Sequence, residues 1–123
     1  MTITLPGRVP SKKNSKRIFC TSGRPRVLPS AAYVAWHEEM MLRLRGHRPA
    51  APLAQAKISI TFYPDTRRTF DLSNAAESVM DLLVDAEILS DDNWSVVPDL
   101  TLHFGAVDPK NPRAEIDIAR SNR

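Results

Sequence analysis

Cysteine is nearly absent. The single Cys20 cannot form an intrachain disulfide, an arrangement expected of a chain kept in a reducing cytoplasm. Histidine is also scarce: His37, His47 and His103 show no ligand spacing with Cys20 or with one another, which argues against a zinc centre. No apolar run approaches the roughly 18 residues that a membrane span needs. The start, from Met1 to Pro6, has neither the charged lead nor the long apolar stretch of a signal peptide. A soluble, cytoplasmic protein with no membrane partner is the expectation. Its 123 residues leave room for one domain, 1–123, with one modest core and no separate cofactor-binding module.

A further absence is local. Between Phe70 and Pro109 there is no Lys or Arg, while nine carboxylates occur. Residues 1–68 hold 13 Lys and Arg against 3 Asp and Glu; residues 69–123 hold 4 against 11. The net charge of +3 therefore hides a strongly cationic first half and an anionic second half. A polyanion would be drawn to the first and repelled by the second. A nuclease needs both signs, cations to hold phosphates and carboxylates to hold a metal ion. Two solvated surfaces would give the same composition.

Periodicity supplies the elements. Thr2–Leu5 alternates as a short strand. A basic, Pro/Gly/Ser-punctuated stretch follows to Pro29, in which Arg17–Cys20 and Arg26–Leu28 flank Thr21, Ser22 and Gly23 as a small hairpin. Ser30 N-caps a helix with Tyr33, Trp36, Met40 and Leu44 at helical spacing, and Gly46 ends it. Lys57–Tyr63 is a strand with Ile58, Ile60 and Phe62 on one face. Ser73–Glu87 reads as a second helix whose apolar stripe is Ala75, Ala76, Val79, Leu82, Leu83 and Ala86. Strands are expected near Val96–Phe104, with Leu100, Leu102 and Phe104 aligned, and over Ala114–Ala119; Arg120–Arg123 reads as a loose tail. The class is α+β, two helices packed on a small mixed β-sheet.

The chemistry-bearing stretch runs from Phe70 through Asp71, Leu72, Ser73 and Asn74, then resumes at Asp91 and Asp92 beyond the second helix. Magnesium prefers oxygen ligands and is commonly held by one or two carboxylates plus water and a substrate phosphate. Each carboxylate alone has a plainer role: Asp71 and Ser73 are ordinary helix caps, and Asp91-Asp92 is an ordinary turn. A helix of about 14 residues is about 21 Å long, so Asp71 and Asp92 converge only if the flanking chain folds back or a second subunit supplies the other end.

The order Pro10, Ser11, Lys12, Lys13, Asn14, then Arg67 and Arg68 ahead of Asp71 and Asn74, then Asp91-Asp92 resembles the RusA family of Holliday-junction resolvases over most of the chain. The resemblance implies a homodimer that cuts four-way, branched DNA junctions with Mg²⁺ or Mn²⁺ bound by aspartates. It places the catalytic, metal-binding aspartates on Asp71 and Asp92. Two positions depart from the family pattern: its second aspartate falls on Ser73 and its lysine on Glu77. Ser73 and Glu77 are one helical turn apart, so Glu77 is expected to replace the lost carboxylate. Asp81 and Asp91 are further metal candidates. Lys12 and Lys13 are candidates for the scissile phosphate, and Lys16, Arg17, Arg24, Arg67 and Arg68 for other phosphates.

Three activities stay open at this point. An active nuclease cleaves a four-way junction only with a divalent ion. A DNA binder with a degenerate site, for which Ser73 argues, binds without cleaving. A protein-interaction module with an acidic docking helix shows no salt-sensitive DNA affinity.

Overall fold

The computed structural model describes residues 1–11, 16–21 and 24–120, with the backbone alone for 16–21 and 24–29. The elements run β1 (Thr2–Pro6), β2 (Lys16–Thr21), β3 (Arg24–Pro29), α1 (Ala31–Leu44), a short 3₁₀ turn (Arg45–His47), β4 (Ala56–Tyr63), α2 (Leu72–Asp85), β5 (Asp99–Phe104) and β6 (Arg113–Arg120). Four strands form one mixed sheet in the order β1-β6-β4-β5, while β2 and β3 pair as a separate hairpin. The α+β class holds.

Strand β4 is central because its residues alternate cleanly. Ile58, Ile60 and Phe62 are buried, and Lys57, Ser59 and Thr61 are not. Its antiparallel partner β6 sets Ile118 beside Ile58 and Ile116 beside Ile60, and β1 adds Ile3 and Leu5 at buried positions on the far side. Tyr33, Trp36, Met40 and Leu44 from α1 and Val79, Leu82 and Leu83 from α2 complete the same core. The opposite sheet face is polar, with Thr2 donating its hydroxyl to Asp117 at 2.9 Å.

Helix α1 begins at Ser30, whose hydroxyl oxygen accepts the Tyr33 N–H at 3.1 Å, as its residue type predicts. It ends at Leu44, and Gly46 sits inside the following 3₁₀ turn rather than stopping the helix itself. The C-terminus of α2 also departs from the expected Glu87: the helix closes at Asp85, and Glu87 takes φ +60° just past it. Asparagine or glycine is the common occupant there; here Ile88 and Leu89 donate back to the Leu83 carbonyl and seal the end. Val96 and Val97 are buried turn residues, so β5 starts only at Asp99. Arg120 belongs to β6, and the rest of the expected tail lies outside the described residues. No helix among the described residues is long and apolar enough to cross a membrane.

β4 and β5 are parallel and joined through α2. That crossover sets the two halves of the acidic motif apart. Asp71 lies on the chain that leaves the C-terminal end of β4, and Asp92 on the chain that returns to the N-terminal end of β5.

Candidate metal centre and DNA cleft

Asp71 is the N-cap of α2. Its Oδ1 accepts both the Ser73 N–H at 3.0 Å and the Ser73 hydroxyl at 2.6 Å. Ser73 therefore steadies a carboxylate rather than adding one. A single capping oxygen is taken by the helix terminus, an arrangement that fixes the carboxyl plane.

Asp71 also lines a cleft of about 690 Å³ between the chain after β1, α1, and the end of β4. Arg8, Arg68 and Arg113 bring three guanidinium groups to its lining, beside Tyr63, Trp36 and Asn74. Arg113 is held by Asp108 at 2.8 Å and by Glu115 at 3.4 Å, and lies 3.9 Å over the Tyr63 ring. Gly105 is a condition of that stack, because a Cβ there would fall 2.5 Å from the Tyr63 ring. The cleft thus carries one held guanidinium, Arg113, and two exposed ones, Arg8 and Arg68, on the same lining as the Asp71 carboxylate, cations of the kind that seat phosphates.

The second acidic group forms a corner at the other end of α2. Asp91 accepts the Asp92 N–H at 2.7 Å through Oδ1 and the Asn93 side-chain amide at 3.1 Å through Oδ2. Asn93 in turn accepts from the Ser95 hydroxyl at 2.6 Å and the Ser95 N–H at 3.0 Å. These bonds tie Asp91 to the turn, and the Asp92 carboxyl sits beside it in contact with the Asp91 side chain. Desolvation, then the adjoining Asp91, then the charge of Asp81 push the Asp92 carboxyl above the usual carboxylate range. A group in that state gains from a cation. Asp71 is not among the charges acting on Asp92, and among the described residues no three His, Cys, Asp or Glu side chains cluster into a ready metal cage.

Of the other candidates, Glu77 is exposed one turn along α2, and Arg67 is exposed beside Arg68. Lys12 and Lys13 lie outside the described residues, and Lys16, Arg17 and Arg24 are seen only as backbone in the hairpin. One anchor of the basic loop is described. Ser78, fully buried on α2, donates its hydroxyl to the Pro10 carbonyl at 2.7 Å, so the segment leading into Lys12 and Lys13 is tied to the acidic helix. Ser78→Ala should cost about 1–3 kcal/mol by stranding the Pro10 carbonyl, read as a fall in thermal or urea midpoint, and should weaken DNA affinity. An unchanged midpoint would remove the anchor.

Sequence reasoning missed the anchoring role of Ser78 and the part of Arg113 in the cleft, and it read Arg8 only as one cation of the basic stretch. Asn93 was legible as a turn residue after two aspartates. Arg113 was not, because only the antiparallel register, which sets it opposite Tyr63, brings it to the cleft.

A scan against family models matches residues 6–119 to endodeoxyribonuclease RusA. No curated protein sequence matches the chain.

Proposed function

The chain belongs to the RusA endodeoxyribonuclease family, and from that premise we propose that it hydrolyses phosphodiester bonds in branched DNA, four-way junctions above all, using a carboxylate-bound divalent ion. The observation that carries this reading is that Asp71 lines one cleft together with Arg8, Arg68 and Arg113. The donor set is all oxygen, which suits Mg²⁺, with Mn²⁺ as a substitute. One or two carboxylates are enough when water and a substrate phosphate fill the remaining positions. Bound there, the ion would polarise the phosphoryl oxygen and lower the pKa of a water for attack.

The residues divide the remaining work. Asp71, oriented by Ser73, and Asp92, whose raised carboxyl pKa a cation would lower again, are the metal-binding pair. Asp81 and Asp91 keep the corner electronegative, and Glu77 is offered as the carboxylate that replaces the one missing at Ser73. Arg8, Arg67, Arg68 and Arg113 seat phosphates. Lys12 and Lys13, which follow in sequence the Pro10 held by Ser78, are assigned to the scissile phosphate. Because the acidic corner and the Asp71 cleft stand at opposite ends of α2, a twofold homodimer would complete each centre with Asp71 of one copy and Asp92 of the other. Two such centres would nick symmetry-related strands.

The test compares a synthetic four-way junction with a linear duplex, with Mg²⁺, with Mn²⁺ and with chelator. Cleavage confined to the junction and to divalent ion is expected, and Glu77→Gln should lower it. Lys12→Ala and Lys13→Ala should each slow turnover and reduce the slope of log affinity against log salt by about 1. Salt-sensitive binding with no cleavage in either ion would leave a DNA binder instead.

A further inference from the structure

Among the described residues Trp94 is the most exposed large apolar side chain, at 83%, ahead of Leu42 at 60% and Phe104 at 56%. The turn that carries it is closed by groups other than the indole. The Asn93 side-chain oxygen accepts the Ser95 hydroxyl at 2.6 Å, the Ser95 N–H at 3.0 Å and the Val96 N–H at 3.3 Å. Val96 and Val97 are buried, the Val96 carbonyl accepts the Ala56 N–H at 2.8 Å, and the Ser95 carbonyl accepts from the Gln55 amide at 3.3 Å. The backbone around Trp94 is therefore clamped, and a ring presented from a clamped turn loses little freedom when a ligand covers it. Phe70, beside Asp71, is placed differently: it packs edge-on against Phe62 at 5.9 Å and is 38% exposed. Phe70 is a wall, whereas Trp94 is an open platform.

We propose that Trp94 stacks on a nucleobase left unstacked at the branch point, and that this contact selects branched DNA over a continuous duplex. This rests on the nuclease reading above and names the feature of the substrate that the acidic corner recognises. Two observations choose a nucleobase as the occupant. Trp94 is two residues from Asp92, at most about 7 Å of backbone. A phosphate brought to Asp92 therefore carries its own bases, one sugar away, into reach of the indole. The second observation is charge. No Lys or Arg occurs from Asp71 to Asp108, and Asp91 and Asp81 lie near enough to act on Asp92. Such a surface repels every phosphate except one bridged by a cation, whereas a neutral base is held by its ring face. In a duplex each base is sandwiched between neighbours, and reaching one costs the unstacking of a step. At a branch point that stacking is already interrupted, so the indole discriminates by the cost of exposing a base.

The experiment measures the affinity of the full chain for a synthetic four-way junction and for a linear duplex, by fluorescence anisotropy in Ca²⁺. Trp94→Ala should weaken junction binding by about 5- to 150-fold, the worth of one stacked base, while duplex binding, circular dichroism and melting midpoint stay as in the parent. Trp94→Phe should recover most of the loss; Trp94→Leu, apolar but without a ring face, should not. Abasic nucleotides are then placed one at a time at the branch point. One of them should weaken the parent by the same factor and leave Trp94→Ala no weaker than it already is. Equal losses on junction and duplex, a loss that persists in full at every abasic junction, or a changed oligomeric state of Trp94→Ala in sedimentation without DNA overturns the contact with a base. A parent that cuts the junction while Trp94→Ala binds it as tightly overturns this inference and leaves the nuclease reading standing. A parent with no preference for the junction over the duplex overturns both.

Discussion

Asp71→Asn is expected to lower junction cleavage by about 10³-fold or more, the loss anticipated when several kcal/mol of metal-borne stabilisation are removed, with little change in fold. The substitution is clean because asparagine is as good an N-cap as aspartate. The Ser73 N–H and hydroxyl that now reach Oδ1 at 3.0 and 2.6 Å can donate to an amide oxygen in the same place. What disappears is one negative charge from the cleft that Arg8, Arg68 and Arg113 also line. Junction affinity, measured by gel shift in Ca²⁺, should hold or rise, because one anion has left a cationic cleft. Single-turnover cleavage close to the parent rate would remove Asp71 from the chemistry.

Asp92→Asn should abolish cleavage to a similar degree and at the same time raise thermal stability in the absence of divalent ion. The sign follows from the raised carboxyl pKa, caused by desolvation and by Asp91 and Asp81. A carboxyl group whose pKa is higher folded than unfolded favours folding only while it is protonated. Its ionised form is therefore a cost at neutral pH, present above the folded-state pKa and absent below the unfolded-state one, near 3.9. The stability gain of Asp92→Asn should be largest at about pH 7 and fade as the pH falls towards about 4. Mg²⁺ should raise the melting temperature of the parent more than that of the variant, by binding only the folded ionised site. Melting curves at two pH values, with and without Mg²⁺, check this; a variant less stable than the parent at neutral pH would contradict it.

Much of this arrangement could be read along the chain, and the parts that could not share a cause. The alternation of Ile58, Ile60 and Phe62 and the stripe of Val79, Leu82 and Leu83 are local patterns, and both faces are buried as expected. The capping roles of Ser30 and Asp71 are equally local, since a short polar side chain meets the N–H groups of its own first turn. Errors fall where tertiary packing decides. Val96 and Val97 have strand-like side chains, but the bonds around Asn93 hold them in a turn. Leu100 and Phe104 alternate like core residues and yet remain half exposed, because alternation states which face a residue occupies and not whether anything covers it. Asp71 and Asp92 were legible as a motif, whereas the cleft around the first required Arg113 from the far end of the sequence. Ser73 was legible as a helix cap and as a departure from the family pattern; the cap is Asp71, and the Ser73 hydroxyl bond to it gives the departure a positional role.

The most direct measurement of the central claim combines the two inactive variants. Asp71→Asn and Asp92→Asn chains, carried on separate tags, are co-expressed, and the mixed dimers are isolated and tested on a four-way junction with Mg²⁺. If Asp71 of one copy works with Asp92 of the other, each mixed dimer keeps one intact centre, and nicking should return to about half the parent rate per dimer. Mixed dimers as inert as either variant alone would contradict the account.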